Sequence, residues 1–370
     1  MSASELRVII SGGGTGGHIF PAIAIAQAIL KKQPNAKLLF VGAEGRMEME
    51  KVPAAGFQIV GLPIMGLQRR LTLQNLLLPW KLLKSMWKAR RIVKEFRPHV
   101  AIGVGGYASG PLLKAASSQN IPTVIQEQNS YPGITNKLLA PKASSICVAY
   151  QGMEKFFPSG KIIMTGNPVR SSVLQCDKDR NELLVQFGLK IDRPVILIIG
   201  GSLGARSINE AVEKAAITWH NAGYAVIWQT GKGFFDRACK TQSEGIRVFD
   251  FIADMGGAYK LADLVVSRAG AMSISELCLV GKPSILVPSP NVAEDHQTKN
   301  AMALVQHGAA DWVKDHEAFH QLEGKVMALM QDATRRDSLG RNARQLGFSN
   351  ADTNIAEEVL RIANSQLQRS

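Results

Sequence analysis

The residues able to do chemistry in this chain gather at glycine-rich junctions. Ser11 to Pro21, SGGGTGGHIFP, follows the apolar run Leu6 to Ile10 and precedes an apolar segment from Ile19 to Leu30. A β-branched run, a glycine cluster and a long apolar segment read as strand, tight turn and helix. Glycine lets the backbone approach a ligand and turn amide N–H groups toward it, and the helix start adds its positive end. The ligand such a turn suits is an anion, above all a diphosphate. Gly12, Gly14 and Gly17 also satisfy the dinucleotide fingerprint G-x-G-x-x-G. His18 counts against that reading, because a bare glycine loop needs no side chain there, and Pro21 pins the first helical turn. An imidazole at this place suits proton transfer near neutral pH, and a buried structural histidine fits it equally well.

A second cluster, GVGGYASGP from Gly103 to Pro111, ends the strand His99 to Val104 and carries Tyr107. Two such loops at the carboxyl ends of neighbouring parallel strands line one crevice. A strand from Pro122 to Gln126 then delivers Glu127, Gln128 and Asn129 to the same rim, followed by Tyr131-Pro132-Gly133 and Asn136. Turn capping explains any one of these polar residues; their convergence points to a site. Farther on, RPVILIIGGSLG (Arg193 to Gly204) repeats the opening plan, with Ser202 beside the turn Gly200 to Gly204. The constellation FIADM (Phe251 to Met255), RAGAMSISE (Arg268 to Glu276) and EDHQTKN (Glu294 to Asn300) follows. Ser273 and Glu276 match the S-x-x-E capping box, and a carboxylate at such a helix start can instead chelate a ribose diol.

The elements that must hold these loops exceed one ordinary core. At 370 residues, with 46% hydrophobic and 20% charged side chains, the chain reads as a folded protein of two domains. Its formal net charge of +13 asks for an anionic partner: nucleic acid, an acidic membrane face or a phosphorylated substrate. The location of the charge discriminates. From Arg69 to Arg97 nine Lys or Arg residues face the single acid Glu95. Pro79 suits the first turn of a helix running to Phe96. On it Leu82, Met86, Ala89 and Val93 form one stripe, directed at the sheet, while Trp80, Leu83 and Trp87 stand among Lys84, Arg90, Arg91 and Lys94. Tryptophan among cations suits an anionic bilayer interface, helped by the apolar run Leu76 to Leu78. The alternative is that the tryptophans tuck under the loop Leu71 to Leu78.

Further strands are expected at Lys37 to Val41, Ala225 to Gln229, Ile246 to Val248, Leu264 to Val266 and Ser284 to Val287, alternating with helices as in parallel α/β sheets. Glu44, the one acid placed to hold a dinucleotide ribose, lies 30 residues beyond Gly14 where about 20 are expected. That mismatch weakens a reading as an NAD-dependent oxidoreductase. Cys147, Cys176, Cys239 and Cys278 form no C-x-x-C pair, and buried inert thiols are expected of them. The N-terminus lacks the pattern of a signal peptide, and no apolar stretch reaches bilayer-spanning length. Asp177 and Asp179 form a D-x-D pair in a charged, linking stretch and are expected to face solvent.

In order, GGGTGGHIFPA, GVGGYASGP, EQNSYPGITNK, GNPVR, GGSLGA, FIADM, RAGAMSISE and DHQTKNA closely resemble the MurG family, the peripheral membrane N-acetylglucosaminyltransferases of bacterial peptidoglycan synthesis. The ordered set spans nearly the whole chain. The resemblance implies a GT-B fold: two Rossmann-like parallel-sheet α/β domains facing a cleft, and a C-terminal helix, Ala351 to Leu367, returning to the first domain. Residues 1–168 with 350–370 would bind acceptor and membrane, and residues 169–349 would bind the UDP-sugar. It implies transfer of N-acetylglucosamine from UDP-N-acetylglucosamine to the C4 hydroxyl of undecaprenyl-diphosphate-linked muramoyl-pentapeptide, with inversion. No cofactor, metal or nucleic acid is implied, and the place of action would be the cytoplasmic face of the inner membrane.

By motif, Ile252 would meet uracil through its backbone, Glu276 the ribose hydroxyls, and Ser202 with Ala271-Met272-Ser273 the diphosphate. Arg170, Asn129 and Gln297 would complete the donor site with Thr15, Gly16 and Gly17. His18, Tyr107, Glu127 and Asn136 would serve the acceptor, with His18 as base and Glu127 acting directly or orienting the imidazole. His296-Gln297 departs from the paired glutamines of many members, so the resemblance carries Gln297 and not His296 to the donor site. A GT-B transferase for another glycolipid would share the donor residues and differ in the first domain's loops.

Overall fold

Runs such as Arg7–Ser11 (RVIIS) and Val195–Ile199 (VILII) are apolar at nearly every position, the pattern of strands covered on both faces. Both become central strands of all-parallel sheets in the computed structural model, which describes residues 5–64, 78–169, 173–190 and 192–368. Each sheet belongs to its own unit: Met1–Val169 with Asn350–Ser370, and Arg170–Ser349.

The first sheet holds seven strands in the order β3-β2-β1-β4-β5-β6-β7. They are β1 (Arg7–Ser11), β2 (Lys37–Ala43), β3 (Ile59–Leu62), β4 (Val100–Gly103), β5 (Thr123–Glu127), β6 (Ser145–Val148) and β7 (Ile162–Met164). Ile9 of β1 is in register with Leu39 on one side and Ala101 on the other. Alternation splits the core: Val8 and Ile10 pack with Ile25 and Ile29 on one face, and Ile9 packs with Val93 and Leu112 on the other. The helix Ala351–Leu367 closes the first of these faces with Ile355, Val359 and Ile362. Each such burial is worth roughly 1.5–3 kcal/mol, so the last helix is an integral wall of this unit.

The second sheet has the order β10-β9-β8-β11-β12-β13. Its strands are β8 (Val195–Ile199), β9 (Ala225–Gln229), β10 (Ile246–Phe249), β11 (Ala262–Ser267), β12 (Ser284–Leu286) and β13 (Asp311–Trp312). Ile196, Ile198 and Trp228 pack against Val212 and Trp219 of the helix Arg206–Asn221. In both sheets the strand order reverses once, between β1 and β4 and between β8 and β11. Loops at the carboxyl ends of such a pair diverge and leave a crevice.

Several expectations change. The first helix spans Gly16–Lys32, so Pro21 lies in its second turn rather than its first. Helix Leu78–Phe96 buries Ser85, Ala89, Ile92 and Val93 against the helix Ser109–Ser118, while Leu82 is 46% exposed and Met86 half-buried. Small side chains at 85 and 89 bring the two helix backbones close, and bulkier ones fall at the margin. Strands β3, β6, β7 and β13 were not anticipated: they are two to four residues long, and two of them are only half-buried throughout. Asp179 is exposed, as expected of the D-x-D pair, and caps the helix Arg180–Gln186 by accepting from the Glu182 amide at 2.8 Å. Burial pushes the Cys147 and Cys278 thiols up to about 12. Among the described residues no helix is long and apolar enough to cross a membrane.

Candidate active site

In the second unit the predicted residues share one rim. The turn after β8 needs its glycines: Gly201 and Gly204 have φ of 88° and 80°, and a Cβ on Gly204 would overlap the Thr230 carbonyl. Ser202 stands exposed on this turn, and no side chain caps the helix Arg206–Asn221 that follows. At the end of β9, buried Gln229 donates to the Gly201 carbonyl at 3.0 Å and accepts from the Ile252 amide at 2.8 Å. One side chain therefore ties the turn after β8 to the loop after β10. Burial is high at Ile252 as well, so its backbone is what it offers to a ligand.

The helix Ala271–Val280 begins earlier than the capping-box pattern predicts. Gly270, with extended φ and ψ, is its N-cap, and no side chain caps it. Ser273 lies at the third helical position and Glu276 lies inside the helix, so the two do not form the box. The amides of Ala271, Met272 and Ser273 are left to meet an anion at the helix start. Glu276 is buried and accepts from the Tyr259 hydroxyl at 3.0 Å. Arg268 does a different job: it bonds Asp315 at 2.5 Å, Ser207 at 3.1 Å and the Val287 carbonyl at 3.0 Å, pinning the ends of β11 and β12. Gln297 accepts from the Ser289 amide at 2.9 Å and so fixes the loop after β12. Just before it, Glu294 and Asp295 both hold left-handed backbone, at φ of 54° and 53°, a conformation that costs non-glycine residues and collects at functional sites.

In the first unit the loops after β1 and β4 lie against each other. The Gly13 amide donates to the Gly105 carbonyl at 3.3 Å, and Ser109 donates to the carbonyls of Ser11 and Gly105 at 3.1 and 2.8 Å. His18 Nδ1 lies 3.2 Å from the Gly13 carbonyl and 3.3 Å from Thr15 Oγ1. A Cβ on Gly105 would meet the His18 ring 2.5 Å from Cδ2. The structure thus brings His18, Thr15 and both glycine clusters together; Gly16 and Gly17 open the helix beside them, and Tyr107 is half-exposed on the second loop.

Glu127 ends β5 with its carboxylate buried. It accepts from the Asn129 amide at 3.0 Å, Asn129 Nδ2 at 3.3 Å, the Gly133 amide at 3.3 Å and Asn136 Nδ2 at 2.8 Å. Burial raises its pKa above the usual carboxylate range, opposed by those hydrogen bonds. Asn129 and Asn136 are therefore placed by Glu127. Beneath them Gln126, Gln128 and Asn167 form a buried amide chain, with Gln126 donating to Asn167 at 2.9 Å and Asn167 to the Gln128 carbonyl at 3.0 Å. Arg170 lies outside the described residues, as do 65–77.

The basic helix presents Trp80, Leu83 and Trp87 at 69%, 65% and 68% exposure, with Lys84 and Arg91 beside them. A groove of about 620 Å³ runs along it between Trp87, Leu39, Val60 and Phe96. Glu44 pairs with Lys88 at 2.8 Å and is committed there.

Three residues of these rims escaped the sequence reading: Glu48, Gln229 and Tyr259. A polar residue closing the apolar strand β9 was a signal for Gln229. Glu48 is 1% exposed and accepts from the amides of Gly14 at 2.8 Å and Ala43 at 3.0 Å. It occupies an amide of the first glycine cluster that the sequence had reserved for a ligand.

Residues 8–148 match the glycosyltransferase family 28 N-terminal domain, and residues 195–359 match the glycosyltransferase family 28 C-terminal domain. The chain is 54% identical over 368 residues to a UDP-N-acetylglucosamine--N-acetylmuramyl-(pentapeptide) pyrophosphoryl-undecaprenol N-acetylglucosamine transferase of Bacteroides thetaiotaomicron, spanning 98% of this chain and 99% of that protein. It is 53% identical over 359 residues to the transferase of the same name from Cytophaga hutchinsonii, covering 97% of each. Among solved structures, Acinetobacter baumannii MurG superposes with a TM-score of 0.77 at 28% identity, over 96% of this chain and 99% of that one. A UDP-GlcNAc 2-epimerase from Neisseria meningitidis, at 15% identity and a TM-score of 0.67 over 96% of this chain and all of its own, shares the fold.

Proposed function

The chain belongs to the MurG family within glycosyltransferase family 28, and from that footing we propose how its residues divide the work. It is a hexosyltransferase of GT-B architecture that passes N-acetylglucosamine from UDP-N-acetylglucosamine to undecaprenyl-diphosphate-linked muramoyl-pentapeptide in peptidoglycan synthesis. The geometry that carries the donor assignment is the second-unit rim, where Gln229 joins a glycine turn to the Ile252 loop. A uridine diphosphate fits that arrangement: Ile252 backbone for the base, Glu276 for the ribose diol, Ser202 and the Ala271, Met272 and Ser273 amides for the diphosphate. Asn129, Arg170, Gln297, Thr15, Gly16 and Gly17 complete the donor set.

In the reaction the acceptor C4 oxygen forms a bond to the anomeric carbon as the bond to the UDP oxygen breaks, with inversion. The hydroxyl proton passes to His18, and the charge gained by UDP is met by helix N-termini and backbone amides. Glu127 acts through Asn129 and Asn136, and Tyr107 and Asn136 meet the acceptor. The exposed face of Trp80, Leu83, Trp87, Lys84 and Arg91 rests on the anionic cytoplasmic surface of the inner membrane, each cation near it adding on the order of 1 kcal/mol.

The test is incubation with labelled UDP-N-acetylglucosamine and a panel of lipid-linked acceptors. Label is expected on the muramoyl-pentapeptide acceptor; label on another glycolipid alone overturns the acceptor assignment.

A further inference from the structure

Glu48 is a nearly inaccessible carboxylate that the reaction described above does not use. Burying a carboxylate is costly unless hydrogen bonds hold it, and here two amides do: Ala43 at the end of β2 and Gly14 in the turn after β1. The surrounding glycines are explained by it. A Cβ on Gly13 would overlap the Glu48 carboxylate, and one on Gly42 would come within 2.6 Å of its Cγ. On the other side of the turn a Cβ on Gly106 would overlap the Gly13 carbonyl, and one on Gly105 would strike the His18 ring. Bare backbone at these four positions thus allows a stack of carboxylate, glycine turn and imidazole. The turn contributes Gly14 N–H to Glu48 and sets its Gly13 carbonyl 3.2 Å from His18 Nδ1. A carbonyl can only accept, so pairing with Gly13 needs the proton on Nδ1 and leaves Nε2 as the basic nitrogen, whereas donation from Thr15 Oγ1, 3.3 Å from the same nitrogen, would favour the other tautomer.

We propose that Glu48 is a positioning residue for His18: by clamping the Gly13–Gly14 turn between the strand β2 and the imidazole, it fixes the Nδ1–H tautomer. The kinetic part of this proposal rests on His18 being the base, and the tautomer does not. Glutamine at this position keeps the shape but offers one acceptor where two amides need one, so one amide loses its partner.

The test uses the full chain labelled with 15N-histidine, with the His18 signals among the seven histidines assigned by their loss in His18→Gln. The parent is expected to show a single Nδ1–H tautomer for His18, and Glu48→Gln a mixture of both. Kinetically, Glu48→Gln is expected to lower kcat about tenfold or more with the UDP-N-acetylglucosamine KM within about twofold, and Glu48→Asp, which keeps the charge but is one methylene shorter, to fall between. If Glu48→Gln does not fold, Gly42→Ala presses on the same side chain and is read by the same spectrum. An unchanged His18 tautomer in the folded variant, whatever its melting temperature, overturns the proposal. A parent that transfers no sugar yet shows the tautomer change overturns the transferase assignment and leaves this one standing.

Discussion

Replacing Glu127 by alanine and by glutamine separates its hydrogen bonds from its charge. Alanine removes the acceptor of four hydrogen bonds, from the Asn129 amide, Asn129 Nδ2, the Gly133 amide and Asn136 Nδ2. A buried donor left unpaired costs about 1–3 kcal/mol. Counting only Asn136 Nδ2 and the Asn129 amide gives about 2–6 kcal/mol, and at about 2–4 °C per kcal/mol for a unit of this size Tm falls by at least about 4 °C. Glutamine behaves differently, because Asn136 Oδ1 is buried without a partner among the described residues and can turn toward the new Nε2 donor. Glu127→Gln should therefore lose less than the alanine variant, with the Gly133 amide the donor left unpaired, at about 1–3 kcal/mol. The pH dependence has a definite sign. Burial raises the Glu127 pKa from its ordinary 4.5, so the stability it contributes is present below the unfolded value and lost as pH rises through the folded one. Melting curves across that window should show Glu127→Gln gaining on the parent as pH rises. An alanine variant that melts within about 1 °C of the parent refutes the reasoning.

Tyr259→Phe removes the hydroxyl donor to Glu276 and should weaken UDP-N-acetylglucosamine binding about tenfold or more, read by calorimetry, since a hydrogen bond to a charged group is worth about 1.5–3 kcal/mol. Unchanged affinity would remove Glu276 from the ribose. Trp80→Ala with Trp87→Ala should reduce sedimentation with anionic vesicles while leaving turnover of a short-chain acceptor intact; equal partitioning of mutant and parent rejects the membrane face. Val359→Asp places a charge in the core of the first unit and should destabilise that unit by about 3 kcal/mol or more. With native protein at pH 8, a thiol reagent should modify Cys176 and Cys239 and spare Cys147 and Cys278; rapid labelling of either buried thiol contradicts the assigned burial.

What could be read in the sequence was what is local. A strand, a glycine turn and a helix sit within about twenty-five residues of each other, so both strand–turn–helix openings were legible from periodicity and turn chemistry, while the helix Ala351–Leu367 was expected from the family resemblance alone. Ser273 and Glu276 show the limit of that method. Their spacing suits a cap, but Gly270 supplies the extended turn earlier and shifts the helix start. Strand β13 has two residues and exists only because β12 lies beside it. The first glycine cluster misled more deeply, for nothing near Gly14 announces that a carboxylate thirty-four residues on will take its amide. Gln229 and Tyr259 are likewise defined by partners that only the fold brings near.

The helix Ala351–Leu367 has a consequence for how the polypeptide is made. Its apolar face completes the core around β1, yet the ribosome reaches it only after the entire segment Arg170–Ser349. At about 5–20 residues per second that interval lasts roughly 10–40 s. Throughout it Val8, Ile10, Ile25 and Ile29 lack the helix that packs on them, whereas the later unit is contiguous in the chain and waits for no distant segment. The amino-terminal half, first to be synthesised, therefore completes its core only when the last segment of the chain emerges.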